Sequence, residues 1–361
     1  MAQAFLNVTQ THEAKNDLLV HLIDHSITEI DIPEGATRLG AYIFAYCYSL
    51  KRVTIPESVA LIDSSVFWAS GITGELVVPS GCHSLYGNSL AYTNFTSMKL
   101  GNTALIQKYA FADNSKCLVY DFTRNTSVPR ITGPDVFRGI LPDAKILVPS
   151  HLYNDWIKAT NWVEWAEYVV PAEHAPEVTI PERASRGLEL IRKSGGSYEV
   201  IGRGECTDSV VVITDEIADG AVTGVGDSAF IDDKDIRELF IMGSVAHIGN
   251  TVCNGSGLKS LYMENVQSIL SISFVCDSLE YVRFSSNIQY IGGNSFISNG
   301  VKAVYDFSDF TGENIPELEW EAGIPGSTLS PEKILVPIDR YDEWKNADNW
   351  SYYADKIFPA I

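Results

Sequence analysis

The chain has no Cys-x-x-Cys pair, few basic residues and no apolar run long enough to cross a bilayer. Each absence removes a class of function. Its six cysteines, Cys47, Cys82, Cys117, Cys206, Cys253 and Cys276, stand singly, so the ligand pairs of a zinc knuckle and the dithiol of a thioredoxin-like centre are missing. Cys47 and Cys276 each lie three residues before a leucine, Leu50 and Leu279. That placement predicts small buried thiols, which are expected to be free. Lys and Arg number 26 against 46 Asp and Glu, a net charge of −20. Such a chain repels phosphate backbones and anionic lipid surfaces, so neither nucleic acid nor a membrane is an expected partner. No apolar stretch approaches the roughly 18 residues of a spanning helix. The N-terminus lacks a basic region followed by an apolar core, so no Sec signal peptide is read there. The localisation expected is on a virion, outside the cell by another route, or in the cytoplasm.

Catalytic constellations are missing as well. The seven histidines, His12, His21, His25, His83, His151, His174 and His247, show no His-Glu-x-x-His spacing. His21 and His25 would share one face of a helix, but no third metal ligand accompanies them. Asp232-Asp233-Lys234-Asp235 lacks the Gly and the closing Glu of a calcium loop, so a turn between repeats is expected there. Gly224-Val225-Gly226 is not continued into a dinucleotide fingerprint, and neither a P-loop nor a Gly-x-Ser-x-Gly elbow occurs. No catalytic residue, metal or cofactor is therefore assigned, and the chain is read as a non-enzyme.

What the sequence does contain is a period. Leu50-x-x-Val53-x-Ile55-Pro56-x-x-Val59-x-x-Ile62-x-x-x-Val66-Phe67 matches Ile27-x-x-Ile30-x-Ile32-Pro33-x-x-Ala36-x-x-Leu39-x-x-x-Ile43-Phe44. Leu279, Val282, Phe284, Ile288 and Ile291 repeat the pattern, as do Leu258, Leu261, Met263, Val266 and Ile269. Alternation such as Val53-Thr54-Ile55 predicts a short strand with one inward face. Pro56 ends it, because proline donates nothing to a ladder. The apolar positions that follow suit a turn of helix or irregular coil behind the strand. One unit cannot bury its own apolar edge, so such units stack into a solenoid with a continuous core. The residue between the inward strand positions sets a register. It is read as Asp31, Thr54, Val77, Lys99 and Tyr120 in one block, and Thr214, Phe240, Tyr262, Arg283 and Tyr305 in a second.

These motifs, with Gly226-Asp227-Ser228-Ala229-Phe230 and Ile43-Phe44-Ala45-Tyr46-Cys47-Tyr48-Ser49-Leu50, resemble the BspA-like leucine-rich repeats of bacteria and their viruses. The resemblance covers residues 27–171 and 186–361. It departs in repeat 72–94, which has an extra residue, and in repeat 95–116, which lacks the strand-ending Pro. It implies an α/β repeat solenoid of short parallel strands and, from secreted bacterial members, adhesion and protein binding. Arrays without a signal peptide that end in Ile-Leu-Val-Pro, Trp and Asn-Trp are similar to proteins of phages and prophages, which implies carriage on a virion tail.

A longer duplication overlies the short repeat. Val119-Tyr120-Asp121-Phe122 recurs as Val304-Tyr305-Asp306-Phe307, and Lys145-Ile146-Leu147-Val148-Pro149 as Lys333-Ile334-Leu335-Val336-Pro337. Tyr153, Trp156, Asn161 and Trp162 recur as Tyr341, Trp344, Asn349 and Trp350. The three- and four-residue spacing of Tyr153, Trp156, Ile157 and Thr160 predicts an amphipathic helix, broken or capped at Asn161 and Asn349, that closes each array; exposed tryptophan faces would instead make a sugar platform. The expected organisation is an N-terminal segment 1–26 with a short helix at 14–24, a first capped block 27–171, a linker 172–185, and a second block 186–361. The second block is expected to open with a β-hairpin over 186–206.

The outward strand positions of a solenoid form one face, and such faces bind partners. In the second block that face is read as Phe240, Tyr262, Arg283 and Tyr305, three aromatics and an arginine, the residue types enriched at binding hot spots. These four are the candidate partner-binding residues; the alternative is that their rings pack within the protein. The expected partner is a protein or glycan on a cell or particle surface. An intracellular protein-binding scaffold or assembly factor is the other reading, and the oligomeric state is left open.

Overall fold

The computed structural model describes residues 27–298, 302–320 and 326–360. The expected helix at 14–24, with His21 and His25, lies outside the described residues. The chain divides into two compact units, residues 1–172 and 173–361. Each is a series of short strands and turns wound into a solenoid, with about fourteen turns among the described residues.

Each turn contributes two strands to two separate ladders. In the first unit Thr73–Val77, Asn94–Lys99, Val119–Asp121, Lys145–Pro149 and Val169–Ala172 form one parallel sheet, preceded by the paired strands Glu29–Asp31 and Arg52–Thr54. Two-residue strands, from Arg38–Leu39 to Arg130–Ile131, make the second sheet. In the second unit seven strands from Val210–Ile213 to Ile357–Ala360 form the first ladder. The other ladder begins with the antiparallel hairpin Glu189–Arg192 and Tyr198–Gly202, and Tyr198–Gly202 then pairs in parallel with Val222–Val225. The second ladder is absent from a reading of the sequence because two residues are too few to show alternation. The segments between the ladders are turns, with left-handed residues at fixed places in the repeat: Tyr46, Ala69, Tyr92 and Asp113 in one column all have φ between 55° and 60°. The structure places a bulge just beyond repeat 72–94, in the repeat that follows: Gly74 pairs with Phe95 and Glu75 with Ser97, leaving Thr96 over.

The core is the repeat's own apolar set. Val59, Ile62, Val66 and Phe67 are fully buried, as are their counterparts one turn on, Cys82, Leu85 and Leu90. All six cysteines are buried with free thiols. The caps repeat each other. Tyr153–Trp156 and Tyr341–Asn346 are single short helices, and Trp156, Trp162, Trp344 and Trp350 are fully buried against Phe122 and Phe307. Asn161 and Asn349, both left-handed, donate Nδ2 to the carbonyls of Ile131 and Leu318 at 3.0 and 2.7 Å. After each cap the chain returns as one more parallel strand, Val169–Ala172 or Ile357–Ala360. The tryptophans are therefore lids over the core and offer no exposed platform.

Candidate functional site

The strand pairing corrects the register read from sequence. Val212, Phe240, Tyr262 and Arg283 are in line, and the next residue in that column is Asp306, not Tyr305, which pairs with Val282. Thr214 likewise gives way to Val212. In the first unit Lys99 pairs with Asp121 and Tyr120 with Met98, so Tyr120 is displaced in the same way. Tyr305 is 1 % exposed and points into the core, where its hydroxyl donates to the Phe296 carbonyl at 3.1 Å. Phe240 is in the column but only 2 % exposed, stacked on Tyr262 with centroids 4.3 Å apart. Of the four candidate residues the structure thus leaves Tyr262 and Arg283 half-buried and accessible together, and removes Phe240 and Tyr305 as contact residues.

Asp306 is the member of this column that sequence reasoning missed. It is wholly buried. One carboxylate oxygen accepts the Ser308 amide at 2.9 Å; the other accepts the Tyr281 hydroxyl and faces the Arg283 guanidinium at 3.6 Å. Burial, and then the charge of Asp306, hold the Tyr281 hydroxyl far above the ordinary tyrosine range. Arg283 also pairs with Asp309, which is exposed. Arg283 is therefore fixed from behind by a buried acid while its outer side remains open.

The segment after the first unit crosses this face. Glu173 pairs with Ala360, the last described residue of the second unit, and Lys333 Nζ lies 2.7 Å from its carboxylate. Ser185, at the other end, accepts the Val212 amide on its hydroxyl at 3.1 Å and donates its own amide to the Val212 carbonyl. Between them Glu177, Val178, Thr179 and Ile180 form one wall of a groove of about 670 Å³ whose floor includes Met242, Tyr262 and Arg283. Among the described residues, 174–184 make no hydrogen bond to the sheet beneath.

No group of three or more His, Cys, Asp or Glu that could hold a metal occurs among the described residues. In the acidic turn, Asp233 accepts the Asp235 amide at 3.0 Å and pairs with Arg203 at 2.5 Å, which is the geometry of a structural turn. No described helix is long and apolar enough to cross a membrane.

Parallel strands stacked once per turn, a buried leucine and isoleucine ladder and terminal lids define a leucine-rich-type repeat solenoid. The sequence profile of the BspA type leucine rich repeat region matches residues 23–139 and 211–312, in six copies. These spans make up more than half of the chain, which belongs to the BspA type leucine-rich repeat family. Among solved structures, a leucine-rich repeat protein from Bacteroides ovatus is 18% identical, over 82% of this chain and 84% of that one, with a TM-score of 0.27. A leucine rich cell surface protein from Faecalibacterium prausnitzii is 16% identical, over 85% and 83%, with a TM-score of 0.22. No curated protein sequence matches the chain.

Proposed function

We propose that the protein is a non-enzymatic recognition module that binds a protein or glycan on a cell or particle surface through the strand face of its second unit. The observation that carries this reading is the groove at Tyr262 and Arg283. An aromatic ring and a guanidinium, both residue types that dominate binding hot spots, lie side by side in an open channel whose other wall, 177–180, is not hydrogen-bonded to the sheet. Buried Asp306 and stacked Phe240 hold the two side chains in place, which reduces the ordering cost of binding. Membership of the BspA type family supports adhesion as the use of such a face, and carriage on a phage tail would deliver it to a bacterial surface. Retention of the purified chain by bacterial envelope fractions is the direct test. The Tyr262→Ser variant, folded by circular dichroism, should lose that retention; unchanged retention would remove the groove from the reading. Mass spectrometry of virus particles, envelope and cytosol from the native source separates the settings. Stoichiometric presence in particles supports virion carriage, whereas presence in the cytosol alone favours the scaffold.

A further inference from the structure

A second surface lies on the first unit, on the turns and away from the strand face. Tyr46, Trp68 and Tyr92 come from three successive turns: the Tyr46 amide donates to the Trp68 carbonyl, and the Ala69 amide to that of Ala91. Their rings follow one another along the turns as a stepped lane, each face turned from the next: Tyr46 and Trp68 are 5.1 Å apart and tilted by 54°, Trp68 and Tyr92 6.3 Å apart and edge to face at 68°, and Tyr48 flanks Tyr46 at 6.2 Å and 60°. Tyr46 is 42 % exposed, Tyr92 43 % and Tyr48 63 %. The lane runs into a polar end. Arg138 donates to the Tyr92 hydroxyl at 2.7 Å and pairs with Asp113, one turn beyond Tyr92.

The core does not account for this lane. Tyr46 and Tyr92 occupy the left-handed column of the repeat, with φ of 60° and 57°, a conformation that a bulky side chain adopts at a cost. The same column holds Ala69 and Asp113 in this unit, and Asp232 and Gly255 occupy the matching turns of the second. Those are the small or locally hydrogen-bonding residues that left-handed backbone favours. The left-handed conformation itself belongs to the repeat, since Tyr42, Tyr109 and Ile272 hold it in the neighbouring column; what the core leaves without a packing role is the exposed ring area of Tyr46 and Tyr92.

We propose that this lane binds a neutral polysaccharide, its sugar rings lying on Tyr46, Trp68 and Tyr92 and its hydroxyls meeting Asp113 and Arg138. A pyranose has an apolar C–H face that stacks on aromatic rings and an equatorial rim of hydroxyls that donate and accept, and the lane offers both in sequence. Tyr46 and Tyr92 are two turns apart, about 10 Å at the spacing of stacked strands, a span that an extended disaccharide covers. The polar end is one acid and one base, already neutralised by each other, and the chain carries −20, so an anionic glycan is disfavoured. The exposed aliphatic residues of this unit, Val77, Leu118 and Val163, come from other positions of the repeat, so the lane consists of aromatic faces and hydroxyl-bonding groups alone, the two features that a neutral sugar matches. This site is independent of the groove at Tyr262.

The test is affinity electrophoresis of the full chain in gels containing hydroxyethylcellulose, xylan, galactomannan or starch, with heparin and gelatin as anionic and protein probes. Retardation by at least one neutral polysaccharide is expected. Trp68→Ala and Tyr92→Ala, each checked for folding by circular dichroism, should weaken it roughly tenfold, the loss expected for one ring contact, and Tyr262→Ser should leave it unchanged. Tyr48→Ser, at the most exposed ring, keeps the test open if a larger truncation misfolds. No retardation by any of the four, retardation equal in the folded variants, or retention by gelatin or heparin alone would overturn the proposal.

Discussion

The indole nitrogen of Trp162 donates to the carbonyl of Pro129 at 2.7 Å, and Trp350 repeats the bond to Pro316 at 2.8 Å. The duplicated bond locks each lid onto the last short strand of its array, so the lid closes the core and also satisfies a buried carbonyl. Trp162→Phe retains most of the packing and orphans the Pro129 carbonyl, at a cost of about 1–3 kcal/mol. Trp162→Ala also opens a cavity, costing about 3–5 kcal/mol. Urea unfolding of the two variants checks both numbers, and an unchanged midpoint in Trp162→Phe would show that the hydrogen bond contributes nothing.

Arg283 and buried Asp306 form the second testable pair. Arg283→Met leaves the Asp306 carboxylate uncompensated in the interior, which costs about 3 kcal/mol, at the lower end for a buried pair because Arg283 is partly exposed. The partner Asp309, 60 % exposed, contributes little. Adding Asp306→Asn, whose Oδ1 still accepts the Ser308 amide while its Nδ2 donates to the Tyr281 hydroxyl oxygen, should recover most of the loss. A double-mutant cycle in denaturant reads the coupling, and additive losses would show that the two side chains are not coupled.

Much of this fold is legible in the sequence because each turn must bury the same apolar positions against its neighbours, so Leu50, Val59 and Ile62 have counterparts one turn on. The register failed at Tyr120 and Tyr305 because Val-Tyr-Asp-Phe permits two parities. Treating tyrosine as the amphipathic, outward residue selected the wrong one. A signal was available: Phe122 stands where Ile55 stands, and counting back two residues puts Tyr120 at the inward position of Val53. The missed Asp306 follows from the same error. The aromatic lane was hidden for another reason. Tyr46 and Tyr48 fall inside the repeat's own signature, and nothing in residue order marks a left-handed φ or brings Trp68 beside them.

The buried thiols predict an alkaline limit to stability. Burial pushes Cys82 up to about 11, Cys117 to about 12 and Cys276 to about 11. Because these values lie above the unfolded value of 9.0, the unfolded chain releases its protons first as pH rises. The stabilisation is complete below pH 9 and is lost between 9 and about 12, by up to about 1.4 kcal/mol per thiol per pH unit. Urea midpoints should therefore be flat for these groups up to pH 9 and fall above it, and Cys117→Ala should make the fall shallower. An identical slope in that variant would show that Cys117 takes no part in the alkaline limit.

Gly101 occupies the place of the missing strand-ending proline, and the reason is steric. A Cβ there would be driven into the Pro79 carbonyl oxygen of the preceding turn, with backbone on that side that cannot swing away. The stacking distance at this corner is thus set by the absence of a side chain. Gly101→Ala must push two turns apart, which places it among overpacking substitutions costing about 1–3 kcal/mol or more. Gly40, where a Cβ would meet nothing within 4 Å, is the control. Gly40→Ala should leave the melting temperature nearly unchanged or raise it, because alanine reduces the freedom of the unfolded chain. Thermal melts of the two variants decide the matter: similar midpoints would mean that the corner between Pro79 and Gly101 relaxes freely, and that close backbone approach does not explain the glycine.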